Sequence, residues 1–128
     1  MLKAITPASL RPPFARYSHG IEVPAGARLV FCSGQLGISA DDIVPEGVEE
    51  QAELIFAAIA AILAEAGMGL GDLVRLNAYV TARKHMAGYM KVRDRLVGMP
   101  PPASTLMIVG GFTREVFKVE VEAVAAKA

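Results

Sequence analysis

Phe117-Lys118-Val119-Glu120-Val121-Glu122-Ala123-Val124 is the stretch that decides the fold. Side chains on a strand alternate between its two faces. Phe117, Val119, Val121 and Ala123 therefore share one face, and Lys118, Glu120, Glu122 and Val124 share the other. The first face suits a core. The second sets two carboxylates in the middle of a segment of high β-propensity. Open to water, these glutamates are solubilising residues. Covered by another subunit, one of them sits in a cleft where its ionisation becomes a chemical tool.

The clearest element upstream is a helix. Val48, Ala52, Ile55, Phe56, Ile59, Ile62, Leu63 and Ala66 recur at helical spacing. Glu46, Glu49 and Glu50 suit the positive end of its dipole, and Gly67 suits the residue just past its end. In Leu73–Thr81, Val74, Leu76, Ala78 and Val80 alternate with Arg75, Asn77, Tyr79 and Thr81, which predicts a strand with one apolar and one mixed face. A second helix is expected from about His85 to Val97, with Met86, Tyr89, Met90, Arg93 and Leu96 as its periodic face; Gly98 and Pro100-Pro101-Pro102 end it. Thr105–Val109 reads as an apolar strand broken by Gly110-Gly111, and Ile21–Val23 as a short strand closed by the turn Pro24-Ala25-Gly26. Leu29-Val30-Phe31-Cys32 runs unbroken, so Arg28–Leu36 is expected to be a strand buried on both faces. Residues 1–16 are Pro-rich and are expected to be irregular. The order is β-β-α-β-α-β-β, an α+β design with two helices on one face of a mixed, mostly antiparallel sheet.

At 128 residues, the chain is expected to form a single domain spanning 1–128. Its formal net charge is zero, so no clustered basic surface steers it to nucleic acid. No apolar run reaches the roughly 20 residues of a membrane span. The first residues lack the apolar core of a signal peptide, and Cys32 is the only cysteine, so a reducing cytoplasm is the expected location. His19 and His85 stand apart from any cysteine cluster, and no metal is expected. The chain is 53% hydrophobic and 20% charged, apolar enough to suggest a buried subunit interface over the sheet face that two helices cannot reach.

Three further segments align with this order: Tyr17-Ser18-His19-Gly20, Phe31-Cys32-Ser33-Gly34-Gln35, and Lys118-Val119-Glu120-Val121-Glu122-Ala123-Val124-Ala125. With the helix ending at Gly67 and the strand Leu73–Thr81, they resemble the Rid family, also called the YjgF or L-PSP endoribonuclease family. The resemblance covers about Arg16 to Ala125. It implies a chorismate-mutase-like subunit in a homotrimer with clefts at the subunit interfaces, no cofactor, and hydrolysis of reactive enamines and imines to carbonyl compounds and ammonia. On the family's motif, Tyr17, Ser33 and Glu120 fall on the catalytic positions. Backbone N–H groups near Thr105 are expected to add donors for an anionic group of the substrate.

The resemblance departs at one position with direct consequences. The deaminase branch carries Pro-Ala-Arg-Ser/Thr, whose Arg holds the substrate carboxylate; here Pro102-Ala103-Ser104-Thr105 puts Ser104 in its place. A hydroxyl does not reproduce a planar, bidentate guanidinium. An enamine/imine deaminase with altered substrate preference is therefore expected, with Ser104, Thr105 and Arg16 as substrate-binding residues. Arg16, beside Tyr17, is a candidate source of the missing charge. The alternatives are a non-catalytic trimeric protein that binds a small molecule in the same cleft, and a ribonuclease or translation inhibitor, which the neutral charge disfavours. Cys32 reads as an inert core thiol and Glu122 as a structural residue.

Overall fold

The computed structural model describes all of residues 1–128. In chain order, the elements are β1 (Lys3–Ile5), β2 (Gly20–Glu22), β3 (Arg28–Leu36), α1 (Val48–Ala64), β4 (Leu73–Val80), α2 (Met86–Leu96), β5 (Ala103–Ile108) and β6 (Val119–Lys127). β1 and β2 pair as a small antiparallel sheet of their own. The main sheet has the order β3-β6-β4-β5. β6 runs antiparallel to both neighbours, and β4 and β5 are parallel. A parallel pair needs a crossover, which α2 provides. The result is two helices on a mixed, mostly antiparallel sheet. No helix is long and apolar enough to cross a membrane.

Two expectations need correction. Residues 1–16 are not irregular throughout: Lys3, Ala4 and Ile5 precede the first proline, so their backbone groups are free to pair with β2. β3 is not buried on both faces either. Its residues Cys32 and Val30 meet the helix layer, but Leu29 is 51% and Phe31 72% exposed. β3 is an edge strand, and α1 covers only one side of it. β5 begins earlier than expected, at Ala103, which pairs with Arg75, and β6 extends to Lys127.

The core lies between the helices and the inner sheet face. Ile55, Phe56, Ile59 and Leu63 of α1 are fully buried, against Leu76, Ala78, Val119 and Val121 from the sheet. Burying such side chains contributes about 1.5–3 kcal/mol each. Phe56 stacks on Tyr89 of α2, with ring centroids 6.2 Å apart. The buried residues of α2 are Tyr89, Val92 and Arg93; Met86, Met90 and Leu96 only border the core. The buried Arg93 lays its guanidinium over the Tyr89 ring and donates from Nε to Asp94 Oδ1 at 3.0 Å.

α1 ends as its sequence predicts. Gly67 adopts φ 71°, Met68 N–H donates to Leu63 O at 2.9 Å, and Gly67 N–H donates to Ala64 O at 3.0 Å. This double closure satisfies the last carbonyls of the helix. At its other end, buried Gln51 donates to Pro45 O and Val116 O and accepts from Lys118 N–H, at 2.8, 2.9 and 2.9 Å. That amide ties the start of α1 to the approach of β6. Gly37 passes so close that a Cβ there would lie 2.5 Å from Gln51 Cβ.

Candidate active site

Directly paired residues of neighbouring strands project from the same face of a sheet. β6 pairs Glu120 with Tyr79, Glu122 with Asn77 and Val124 with Arg75. β5 pairs Thr105 with Asn77 and Met107 with Tyr79, and β3 sets Phe31 beside Val124. The face that the helices leave open thus carries a polar centre between exposed apolar side chains: Phe31 toward one edge, and Met107, 54% exposed, toward the other.

The polar centre is ordered by three hydrogen bonds. Tyr79 Oη donates to Glu122 Oε1 at 2.7 Å, and Asn77 Nδ2 donates to the same oxygen at 3.1 Å. Arg75 Nη2 donates to Thr105 Oγ1 at 2.7 Å. The bond to Glu122 is the main reason that the Tyr79 hydroxyl titrates above its usual range; partial burial and the two carboxylates add to it. Glu120 is different. Burial first, and repulsion from Glu122 second, push its carboxyl above the usual carboxylate range. Its Oε2 lies against Gly34, where a Cβ would come within 2.6 Å. The glycine of Ser33-Gly34-Gln35 thus makes room for this carboxylate, and the pairing shift between Cys32 and Gln35 occurs at the same place. A shallow depression of about 410 Å³ adjoins these groups, lined by Phe31, Ser33, Asn77, Glu122 and Val124.

The other residues singled out by sequence lie elsewhere. Ser18 N–H donates to Pro102 O at 3.1 Å and Ser18 Oγ to Pro101 O at 2.5 Å, which fastens the Tyr17 segment to the outer edge of β5. Tyr17 Oη accepts from Phe14 N–H at 3.3 Å, and its ring meets His19 edge-on. Arg16 is exposed beside it. Ser104 pairs with Leu76, so it faces the helix layer, and its Oγ is buried with no hydrogen-bond partner. Thr105, one residue on, projects from the open face. Ser33 and Glu120 therefore belong to the β3 side of the sheet, and Tyr17 and Arg16 lie beyond β5. With β4 and β5 between them, about three strand spacings, roughly 14 Å, separate Glu120 from the Tyr17 segment.

Sequence reasoning did not find Arg75, Asn77 and Tyr79. Their alternation placed them on a mixed face; only the strand register brings them to Thr105 and Glu122. A larger hollow of about 550 Å³ lies where the chain ends meet, bordered by Met1, Leu2, Ile21, Met99 and Lys127. Its one carboxylate, Asp72, already accepts from Gly69 N–H at 2.9 Å, and it holds none of the residues above.

The fold formed by these strands and helices is matched among known proteins. A family model described as Endoribonuclease L-PSP matches residues 8–127. The mitochondrial protein mmf2 of Schizosaccharomyces pombe is 32% identical over 101 residues, 77% of this chain and 80% of its own. A RutC family protein of Pyrococcus abyssi is 31% identical over 117 residues, covering 90% of this chain and 89% of its own. TdcF of Escherichia coli, whose name provisionally describes a reactive intermediate deaminase, is 25% identical over 115 residues, covering 87% and 86%. The crystal structure of YyfB from Yersinia pestis, a Rid-family protein of unknown function, shares the fold with a TM-score of 0.83 at 24% identity, over 98% of both chains. The chain belongs to the Rid family of YjgF and L-PSP proteins.

Proposed function

We propose that this protein is an enamine/imine deaminase of Rid type, acting on a small molecule in a cleft between subunits of a homotrimer. The observation that carries the reading is Glu120: a half-buried carboxylate held above its usual range, on a face open to a partner, beside a second carboxylate. Such a group accepts a proton more readily than an ordinary carboxylate. Water adds to the iminium carbon as its proton passes to Glu120. The nitrogen of the resulting carbinolamine takes that proton, its C–N bond breaks as ammonia leaves, and the hydroxyl proton passes back to Glu120, leaving the carbonyl compound. Glu122, held by Tyr79 and Asn77, keeps negative charge beside the site and favours a cationic iminium over a neutral imine.

The separation of the two residue sets supports the trimer. Glu120 and Ser33 sit on the β3 side and Tyr17 and Arg16 beyond β5. Joining the β3 edge of one copy to the β5 edge of the next completes the set with both hydroxyls. Head-to-tail contacts of this kind close into a three-membered ring when each copy is turned by a third of a circle from the last. The exposed Leu29, Phe31 and Met107 would be covered in the process. In that arrangement Tyr17 and Ser33 position the substrate and water, Thr105 and Arg16 border the substrate's anionic end, and the absence of an arginine at position 104 gives a preference other than the small 2-imino acids. Ser104 also favours a second reading, a trimer that binds a carbonyl compound in the same cleft without turning it over.

The test is ammonia release from large 2-imino acids and from uncharged imines, generated in the assay by an amino acid oxidase and an amine oxidase. The wild-type protein should accelerate release, and Glu120→Gln should lose about 10²–10⁴-fold of that acceleration. Sedimentation should give a trimer for both proteins. Full activity in Glu120→Gln removes the mechanism, binding without acceleration selects the second reading, and a stable monomer removes the cleft.

A further inference from the structure

The geometry points to Arg75 as the anion-binding residue of the site, holding the carboxylate of an anionic imine or carbonyl ligand. This rests on the open-face site proposed above. Arg75 is a guanidinium without a carboxylate partner: none of the chain's ion pairs involves it. The nearest acid on its face, Glu122, is already held by Asn77 and Tyr79. Its one side-chain hydrogen bond goes to a neutral hydroxyl, Thr105 Oγ1, at 2.7 Å. Thr105 is paired with Asn77, not with Arg75, so the guanidinium leans one rung toward Tyr79 and Glu120. A planar guanidinium held on one side, with donors to spare, is suited to a bidentate carboxylate. The charge that the family's motif would carry at position 104 thus arrives from β4, on the opposite face of the sheet from Ser104.

The experiment is calorimetric titration of the full chain with stable carbonyl analogues: pyruvate, 4-oxopentanoate and the uncharged 2-pentanone. Wild-type protein should bind at least one of the two carboxylates about ten-fold more tightly than 2-pentanone. Arg75→Gln should lose that preference while its affinity for 2-pentanone and its sedimentation are unchanged. Thr105→Val, which frees the guanidinium without removing it, should lose a smaller share and covers the case in which Arg75→Gln fails to assemble. Binding of 2-pentanone as tight as that of both carboxylates, no binding of either carboxylate, or unchanged affinity in both variants overturns the inference. Binding needs no turnover, so tight carboxylate binding without imine hydrolysis removes the deaminase reading alone. Ammonia release from 2-imino acids insensitive to Arg75→Gln removes Arg75 alone.

Discussion

The two faces of β6 are one residue apart in sequence and carry opposite demands. On the inner face Val119 and Val121 are fully buried, packed against α1 residues that are themselves fully buried. On the outer face Glu120 and Glu122 are half-buried, one kept above its ordinary range and the other held by two donors from β4. The inner face is closed within the chain: every large side chain there has apolar neighbours. The outer face is open, with Phe31 and Met107 exposed around a polar centre. The inner face therefore accounts for stability, and the outer face carries the chemistry and assembly proposed above.

Substitutions on the two faces should separate these roles. Phe56→Ala empties the centre of the core and should lower unfolding free energy by about 3–5 kcal/mol in a urea titration. Phe31→Ser, on the open face, should leave the stability of an isolated subunit within about 0.5 kcal/mol while weakening the trimer in sedimentation. Equal destabilisation by the two would mean that the open face also supports the subunit fold.

Tyr79→Phe makes the next test, because it removes one donor from Glu122 and leaves the ring in place. The pair is only half-buried and partly screened, so the loss should be about 1 kcal/mol. It should also change the alkaline limb. The folded Tyr79 hydroxyl titrates above the unfolded value, so its contribution is complete below pH 10 and fades as pH rises through the folded value. Stability curves of wild type and Tyr79→Phe should therefore converge as the alkaline limit is approached.

The smallest effect is the sign of the acid limb. Glu120 binds its proton more tightly in the folded state than in the unfolded one, so the folded chain holds the extra proton just above pH 4.5. Stability from this group accordingly falls as pH rises through that window, the reverse of a salt-bridged carboxylate. Glu120→Gln should be slightly more stable than wild type at pH 7, with the difference shrinking as pH falls toward 4.5. A growing difference on acidification would show that a donor holds the ionised carboxylate in solution.

Much of the fold was legible because its signals are local. The alternation of residues 117–124, the helical spacing from Val48 to Ala66 and the stop at Gly67 each follow from backbone geometry over a few residues. β3 was misread because an unbroken apolar run looks the same in a central strand and in an edge strand whose outer face awaits a partner. β1 was missed because three residues are too few to show a period. Buried Gln51 was invisible because its three partners, Pro45, Val116 and Lys118, come from two distant loops.

The same division runs through the site. By itself the sequence determined that Glu120 and Glu122 share a face and that Ser33, Tyr17 and Glu120 stand on the motif of the Rid family; alternation and motif spacing are properties of short segments. Only the tertiary structure decided that Tyr79 and Asn77 hold Glu122, that Gly34 gives Glu120 its room, that Arg75 reaches Thr105 and Ser104 turns to the helices, and that Tyr17 lies at the far edge of the sheet from Ser33. Those relations depend on strand order and register between segments some 30 to 45 residues apart. Register is set by the summed burial of whole strands, which no single segment records.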